Sequence, residues 1–274
     1  MCRQHDPAQY SIARNTPSML LAVDIGNTHT GLGVFSHDRL IATHRLSTNR
    51  HRTVEETWTA LSPFFSGTGI SPLTLKGFGI SSVVPEATAA FSALARDHLK
   101  KEPVTITGRL DLGIKILYDD PATLGADRIC NAVAGFQKYG GPLIIVDLGT
   151  ATTYDVVNER GDFLGGPIAL GLGSQAAELH RRAAQLPEIE LEAPPSVIAR
   201  DTRSAMQAGV VIGGIEAMEG LVRRIRQELG TEAKVIATGG LSQHIAPLSA
   251  VIEACEPYLV LEGIRLIVGR LQSA

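Results

Sequence analysis

The chain has 274 residues, of which 44% are hydrophobic and 19% are charged, a composition that favours a well-cored globular protein of one large or two ordinary domains. Its formal net charge of −3 lacks the basic excess that binds nucleic acid, so we expect no nucleic-acid partner. The cysteines Cys2, Cys130 and Cys255 are too few and too widely spaced for a disulfide framework or a zinc site, which indicates a reduced, cytoplasmic compartment.

The N-terminal residues 1–18 are polar and lack the apolar segment of a signal peptide. We expect them to form a flexible extension, with the folded part beginning at Met19. No apolar run reaches the roughly 18 residues that a membrane span needs, so no membrane association is expected.

The first half of the chain alternates short apolar runs with amphipathic stretches. Residues 19–25, 31–35 and 39–46 are predicted to form three antiparallel strands in meander order. Thr53 and Glu56 have the spacing of a capping box, which predicts a helix that starts there. The remaining predicted elements are that helix over 53–66, a strand over 76–84, a helix over 86–100, a strand over 103–107 and a helix over 123–138.

The pattern then restarts, because residues 143–149 (LIIVDLG) repeat residues 20–26 (LLAVDIG). Asp147 lies 123 positions after Asp24, and at the same offset Thr153 corresponds to Thr30. A repeat of this length is plausible as one lobe. The later predicted elements are a strand over 163–170, helices over 174–185 and 204–229, a strand over 234–238 and a helix over 257–272.

The repeat predicts a division into two lobes, 19–140 and 141–256. The C-terminal segment 257–274 is expected to pack back on the first lobe. In this arrangement both Asp-x-Gly turns would meet at a cleft between the lobes.

The first turn, Asp24-Ile25-Gly26-Asn27-Thr28-His29-Thr30, has the composition of an anion-binding nest. Consecutive backbone N–H groups in such a turn can bind phosphate oxygens. Asp24 cannot bind phosphate directly because both are anions, so its position makes sense if a cation lies between them. The plain alternative is a hairpin in which Asp24 caps its own turn.

The second turn, Asp147-Leu148-Gly149-Thr150-Ala151-Thr152-Thr153, offers three hydroxyl groups to a phosphate, although threonine is also an ordinary strand residue. A third string, Gly125-Ala126-Asp127-Arg128, lies at a predicted helix start. Asp127 there is either an N-cap or a general base, and Arg128 suits a carboxylate or a phosphate.

Two glycine-rich strings complete the set. Residues 171–176 match part of a dinucleotide fingerprint, but they follow a hairpin strand and not the opening strand of a βαβ unit. Thr238-Gly239-Gly240 is either an adenosine contact or a plain turn after a strand. The sequence contains no Walker-type phosphate loop.

Three of these strings, Asp24-x-Gly-Asn-Thr, Gly125-Ala-Asp-Arg and Asp147-x-Gly-Thr-Ala-Thr-Thr, together resemble the type III pantothenate kinases, a Bvg accessory factor-like family. The resemblance extends to Gly165-Gly166, Thr202, Thr238-Gly239-Gly240 and the closing Leu259-x-Leu-Glu-Gly-Ile-Arg. The chain departs from the family at Leu170, where proline is usual, and at Asp201, where asparagine is common.

The resemblance implies an α/β fold of the actin-like ATPase and sugar-kinase superfamily. Two duplicated ribonuclease H-like lobes would each contain a mixed five-stranded sheet with flanking helices. The implied activity is ATP-dependent phosphorylation of pantothenate to 4′-phosphopantothenate, the first step of coenzyme A biosynthesis. It further implies Mg²⁺ with the ATP, a monovalent cation (K⁺ or NH₄⁺) and a homodimer.

The resemblance also implies roles for individual residues. Asp127 would be the proton acceptor, and Asp147 would hold the monovalent cation. The residues implied for ATP are Asp24, Ile25, Gly26, Asn27, Thr28, His29, Thr30, Gly31 and Thr150. The residues implied for pantothenate are Tyr118, Gly125, Ala126, Asp127, Arg128 and Thr202.

Three other functions stay open at this point. The first is a binding-only regulatory protein on the same fold, such as a transcription accessory factor. The second is a kinase for another small hydroxylated acceptor. The third is a dinucleotide-dependent enzyme that uses residues 171–176.

Overall fold

A computed structural model describes residues 19–273, which form two compact units. The first unit runs to Lys138 and includes the C-terminal helix Leu259–Ser273, whereas the second unit is Tyr139–Tyr258. The predicted extension 1–18 lies outside the described residues.

A mixed five-stranded sheet forms the centre of the first unit, in the order β3-β2-β1-β4-β5. Strand β2 is antiparallel to both β1 and β3, so the predicted three-strand meander is confirmed. On its other side, β1 is parallel to β4. The strands are β1 (Leu20–Ile25), β2 (His29–Ser36), β3 (Arg39–Ser47), β4 (Gly77–Ser82) and β5 (Val104–Thr105). The predicted strand over 103–107 is shortened to two residues because a turn closed by Leu110 N–H on the carbonyl of Thr107 follows it.

Helices α1 (Val54–Thr68), α2 (Pro85–Asp97) and α3 (Ala126–Tyr139) complete the first unit together with the C-terminal helix. The capping box is confirmed, because the Thr53 side chain accepts the N–H of Glu56 and the Glu56 carboxylate accepts the N–H of Thr53. Buried residues of β1, β2, β4, α1 and α2 form one hydrophobic core.

Two glycines let the C-terminal helix pack closely in the first unit. A Cβ atom at Gly79 of β4 would lie 2.4 Å from Cγ2 of Ile264. A Cβ atom at Gly263 would lie 2.2 Å from the carbonyl oxygen of Cys130 in α3. The helix therefore contacts both the sheet and α3, and it helps to fix α3 in position.

The second unit repeats this topology with strands in the order β11-β10-β6-β7-β8. Here β6 is antiparallel to β7 and parallel to β10, as β1 is to β2 and β4. The strands are β6 (Leu143–Leu148), β7 (Ala151–Val157), β8 (Phe163–Gly165), β9 (Ile168–Leu170), β10 (Lys234–Thr238) and β11 (Ala254–Cys255).

The predicted strand over 163–170 is interrupted at Gly166 and Pro167. Gly166 has a φ of 142°, and a Cβ atom there would lie 1.9 Å from the carbonyl oxygen of Tyr154. Its two pieces, β8 and β9, both pair with β7 and share one position at the sheet edge. Both sheets therefore have five strand positions, and the predicted pair of mixed five-stranded sheets is confirmed.

The helices of the second unit are α4 (Leu172–Arg182), α5 (Thr202–Gln207), α6 (Gly213–Leu229) and α7 (Ser242–Ile245), with a π-helical turn, Ala208–Ile212, between α5 and α6. Helix α4 starts and ends earlier than the predicted 174–185. The continuous stretch Thr202–Leu229 is long and apolar enough to cross a membrane by length and composition alone. Its buried face, which includes Val211, Ile215 and Val222, belongs to the hydrophobic core of the second unit.

Candidate active site

The first Asp-x-Gly turn is longer than the second by one residue. In the first hairpin Ile25 pairs with Thr30, whereas in the second Leu148 pairs with Thr152. The structural counterpart of Thr30 is therefore Thr152, and the expected correspondence with Thr153 is wrong. The constant offset holds along the first strand of each hairpin and fails beyond the turn.

The first turn presents three polar side chains to solvent. Asn27, Thr28 and His29 are exposed, while Thr30 is buried. The N–H of Gly26 donates to the carbonyl of His29 at 3.0 Å, which closes the turn. The turn thus offers a polar surface on which a phosphate chain can lie.

Thr48, just after β3, holds this turn in place. Its Oγ1 donates to the carbonyl oxygen of Gly26 at 2.7 Å, and its N–H donates to the carbonyl oxygen of Thr28 at 2.9 Å. The hydroxyl groups of Thr48 and Thr30 are also 2.9 Å apart. Sequence reasoning missed Thr48, because no local motif links it to a turn about twenty residues earlier.

Asp24, at the end of β1, is held by a neighbouring strand. The Ser81 hydroxyl of β4 donates to Oδ1 of Asp24 at 2.9 Å, and the two residues are register partners in the parallel pair. Ser81 is fully buried, whereas Asp24 is partly exposed. Ser81 was also missed, because the pattern of an isolated strand does not identify its neighbours.

Asp127 lies in the first turn of α3 as its second residue, so the N-cap alternative is wrong. Its Oδ1 accepts the N–H of Arg128 at 2.8 Å, and a Cβ atom at Gly125 would lie 2.5 Å from the same oxygen. Desolvation raises the pKa of Asp127, although the hydrogen bond from Arg128 and its charge act in the opposite direction.

Asp24 and Asp127 both lie close enough to the Cys130 thiol to act on it electrostatically. Burial raises the pKa of Cys130 well above its usual range, and the charges of Asp24 and Asp127 add to that effect. A hydrogen bond with Ser81 partly offsets it. The first unit therefore brings Asp24, Ser81 and Asp127 together around one buried sulfur atom.

The other residues implied for pantothenate are divided between the two units. In the first unit, Tyr118 is partly buried and lies in the irregular segment before α3, while Arg128 is almost fully buried in α3. In the second unit, Thr202 is exposed and begins α5.

Asp201 is the N-cap of α5, and its Oδ1 accepts the N–H of Ser204 at 3.0 Å. Aspartate performs this capping as asparagine would, so the departure at Asp201 keeps the helix start intact.

Asp147 is the second-last residue of β6 in the second unit, with Thr153 and Thr238 as its register partners. Gly239 has a φ of 88°, and a Cβ atom there would lie 2.3 Å from Oδ1 of Asp147. The carboxylate thus lies against the backbone of the Gly239 turn. A carboxylate among backbone groups is a donor set that fits a hard cation.

Thr150 is hydrogen-bonded to the string 171–176 within the second unit. The carbonyl of Thr150 accepts the N–H of Gly171 at 3.0 Å and the hydroxyl of Ser174 at 2.8 Å. The string opens α4 after strand β9, which is antiparallel to β7. This is not the βαβ context that a dinucleotide fingerprint requires.

Among residues 19–273, no group of three or more His, Cys, Asp or Glu side chains is placed to hold a metal ion. Mg²⁺ that accompanies a nucleotide is commonly bound by one or two carboxylates and the substrate phosphates. The single carboxylate of Asp24 beside the exposed turn fits that requirement.

Solved structures similar to this chain support the fold. A Campylobacter jejuni protein described as a Baf family transcriptional activator is 17% identical, with a TM-score of 0.60, and the match covers 93% of this chain and 100% of that one. The activator of 2-hydroxyisocaproyl-CoA dehydratase from Clostridium difficile is 13% identical, with a TM-score of 0.55 and coverage of 93% and 96%. An inorganic polyphosphate/ATP-glucomannokinase from an Arthrobacter species gives a TM-score of 0.50 at 15% identity, with coverage of 93% and 99%. The predicted actin-like ATPase and sugar-kinase fold is confirmed.

Sequence relatives identify the family. The type III pantothenate kinase of Roseiflexus sp. (strain RS-1) is 46% identical over 249 residues, covering 91% of this chain and 98% of that protein. The type III pantothenate kinase of Thermomicrobium roseum is 45% identical over 256 residues, covering 93% and 99%. The family model described as type III pantothenate kinase matches residues 20–224, and the chain therefore belongs to the type III pantothenate kinase family.

Proposed function

We propose that this chain transfers the γ-phosphoryl group of ATP to the primary hydroxyl of pantothenate and forms 4′-phosphopantothenate, the first step of coenzyme A biosynthesis. The observation that carries this proposal is the family membership over almost the whole described chain. The grouping of Asp24, Ser81 and Asp127 around Cys130 supports it, because phosphoryl transfer needs a phosphate site and a proton acceptor close together.

The ATP phosphates are proposed to lie on residues 24–31 in the first unit. The exposed polar side chains of Asn27, Thr28 and His29 and the backbone of the turn supply hydrogen bonds to phosphate oxygens. Asp24 is the residue that would hold Mg²⁺, which neutralises phosphate charge when bound. Thr150 of the second unit is proposed as a further ATP contact.

Asp127 is proposed as the proton acceptor. A general base works best when its pKa approaches the working pH, and desolvation shifts the pKa of Asp127 in that direction. Its bond to the N–H of Arg128 fixes the carboxylate at the helix start. The residues proposed to bind pantothenate are Tyr118, Gly125, Ala126, Asp127, Arg128 and Thr202.

Asp147 is proposed to hold a monovalent cation, K⁺ or NH₄⁺. Its carboxylate lies close to Gly149 and Gly239, and it would supply the anionic oxygen ligand that such a cation takes. We further propose a cytoplasmic homodimer, with no nucleic-acid or membrane partner. Within each chain, we propose a division into two lobes, residues 19–140 together with the C-terminal helix and residues 141–256.

A direct assay tests this function. Purified protein is incubated with ATP, Mg²⁺ and pantothenate, with K⁺, NH₄⁺ or neither, and 4′-phosphopantothenate is measured by mass spectrometry. We expect product with either monovalent cation and a much lower rate without both. If no phosphopantothenate forms under any cation condition, the proposed function is wrong, and a screen of other hydroxylated acceptors would then identify a different kinase.

A further inference from the structure

Two arginines lie beside the phosphate turn and are held by uncharged partners. Nη2 of Arg45, near the end of β3, is 2.9 Å from Nδ1 of His29. Nη2 of Arg50 donates to the amide oxygen of Asn27 at 2.9 Å. Both acceptors are exposed residues of the turn on which the ATP phosphates are proposed to lie.

The positive charges of these two arginines are not balanced locally. Within residues 19–273, neither Arg45 nor Arg50 comes within ion-pair distance of a carboxylate. Several other arginines of the chain do have carboxylate partners, such as Arg96 with Glu102 and Arg270 with Asp111. An arginine without a counter-ion beside a phosphate turn is available to an anionic ligand.

His29 contributes no competing charge. Desolvation, together with the neighbouring charge of Arg45, lowers the pKa of His29 below its usual value, so the ring is neutral at physiological pH. Because a guanidinium group can only donate, Nδ1 of His29 is the acceptor in this pair. The ring therefore holds the arginine through a neutral hydrogen bond.

We infer that Arg45 and Arg50 belong to the nucleotide site and that their guanidinium groups bind the triphosphate of ATP. This inference rests on the proposed function and extends its phosphate site beyond residues 24–31. On binding, each arginine exchanges a hydrogen bond to a neutral acceptor for a bond to a charged phosphate oxygen, which the planar guanidinium can make bidentate. The chain has no Walker-type lysine, and Asp24 adds negative charge, so the turn needs cationic groups from elsewhere.

The competing explanation is that the two arginines only brace the turn. Glutamine distinguishes the two roles, because it keeps an N–H donor for Asn27 or His29 but lacks the positive charge. A bracing role would survive Arg50→Gln in large part, whereas a phosphate-binding role would not. Lysine keeps the charge and loses the planar fork, so Arg50→Lys should give an intermediate effect.

The experiment compares Arg45→Gln, Arg50→Gln and Arg50→Lys with Arg39→Gln as a matched control. Arg39 is exposed on the same strand, roughly 20 Å from Arg45 at the usual rise per strand residue. We expect each glutamine variant to raise the KM for ATP about tenfold, with the KM for pantothenate within about twofold of wild type. The Arg39 variant should match wild type.

Direct binding of a non-hydrolysable ATP analogue by calorimetry, as a function of salt, separates this inference from the proposed function. We expect weaker binding and a shallower salt dependence in both glutamine variants. Analogue affinity unchanged in both would overturn the inference while leaving the kinase activity in place. A parallel loss for ATP and pantothenate with a lowered unfolding temperature would also overturn it, in favour of bracing. A wild-type protein that binds the analogue but forms no product would instead refute the proposed function.

Discussion

At Asp127, burial and hydrogen bonding act on the same carboxyl group in opposite directions, and burial has the larger effect. Sequence reasoning identified this residue through its resemblance to a family motif and left its local role open between cap and base. The structure excludes the cap, because the helix already begins at Ala126. The supporting residues Ser81 and Thr48 were not predictable, because each is distant in sequence from the group that it contacts.

The raised pKa of Asp127 predicts a specific pH dependence. Only the ionised carboxylate can accept a proton, so kcat/KM should fall as the pH drops through a pKa above that of an exposed aspartate. Stability changes in the opposite sense, since folding favours the protonated form and this contribution is lost as the pH rises through the folded pKa. Asp127→Asn should therefore have a higher unfolding temperature than wild type at neutral pH.

Asp97→Asn is the control for this stability measurement, because Asp97 is the exposed last residue of α2 in the same unit. Calorimetry of both variants at pH 7 checks the sign. A lower unfolding temperature for Asp127→Asn than for Asp97→Asn would show that the ionised carboxylate is not strained by burial.

At the scale of elements, the sequence predicted where strands and helices lie better than how they pair. The apolar runs, the capping box and the repeat at Asp147 were all visible in local patterns. The shorter second turn was not, because the register of a hairpin depends on hydrogen bonds across the turn that an offset in sequence does not report. The break at Gly166 depends likewise on the close approach of Tyr154, a contact between strands.

Close packing of the C-terminal helix on α3 makes Gly263 sensitive to substitution. Gly263→Ala would place a methyl group 2.2 Å from the Cys130 carbonyl oxygen, so the helices must separate. Overpacking of this kind costs about 1–3 kcal/mol, and urea unfolding should show a loss of that size. The displacement of α3 should also reduce kcat, since α3 carries Asp127.

Gly67→Ala in α1 is the matched control, because nothing lies within 4 Å of a Cβ atom there. Alanine should stabilise that helix by up to about 1 kcal/mol. Equal unfolding free energies for Gly263→Ala and wild type would contradict the packing that the structure shows.

For the whole molecule, the repeated topology of two mixed sheets is the feature that both sequence and structure support most strongly. Oligomeric state did not follow from the residues, and the homodimer rests on the family resemblance. An apolar surface in the second unit is consistent with association, because Val197 and Ile198 are 66% and 85% exposed beside the turn between α5 and α6.

We expect the purified chain to sediment as a dimer, since association would remove exposed apolar surface of this kind from water. Analytical ultracentrifugation over a hundredfold range of protein concentration measures the mass directly. A species of monomer mass at every concentration would contradict the proposed homodimer.

Phosphorylation of pantothenate, as proposed, requires Asp127 as the proton acceptor. The decisive measurement is the rate of 4′-phosphopantothenate formation by Asp127→Asn, with binding of a non-hydrolysable ATP analogue measured on the same preparation. We predict a rate at least about a hundredfold below wild type, the contribution expected of a general base, with analogue affinity nearly unchanged. A variant that binds the analogue and turns over pantothenate at the wild-type rate would contradict this role.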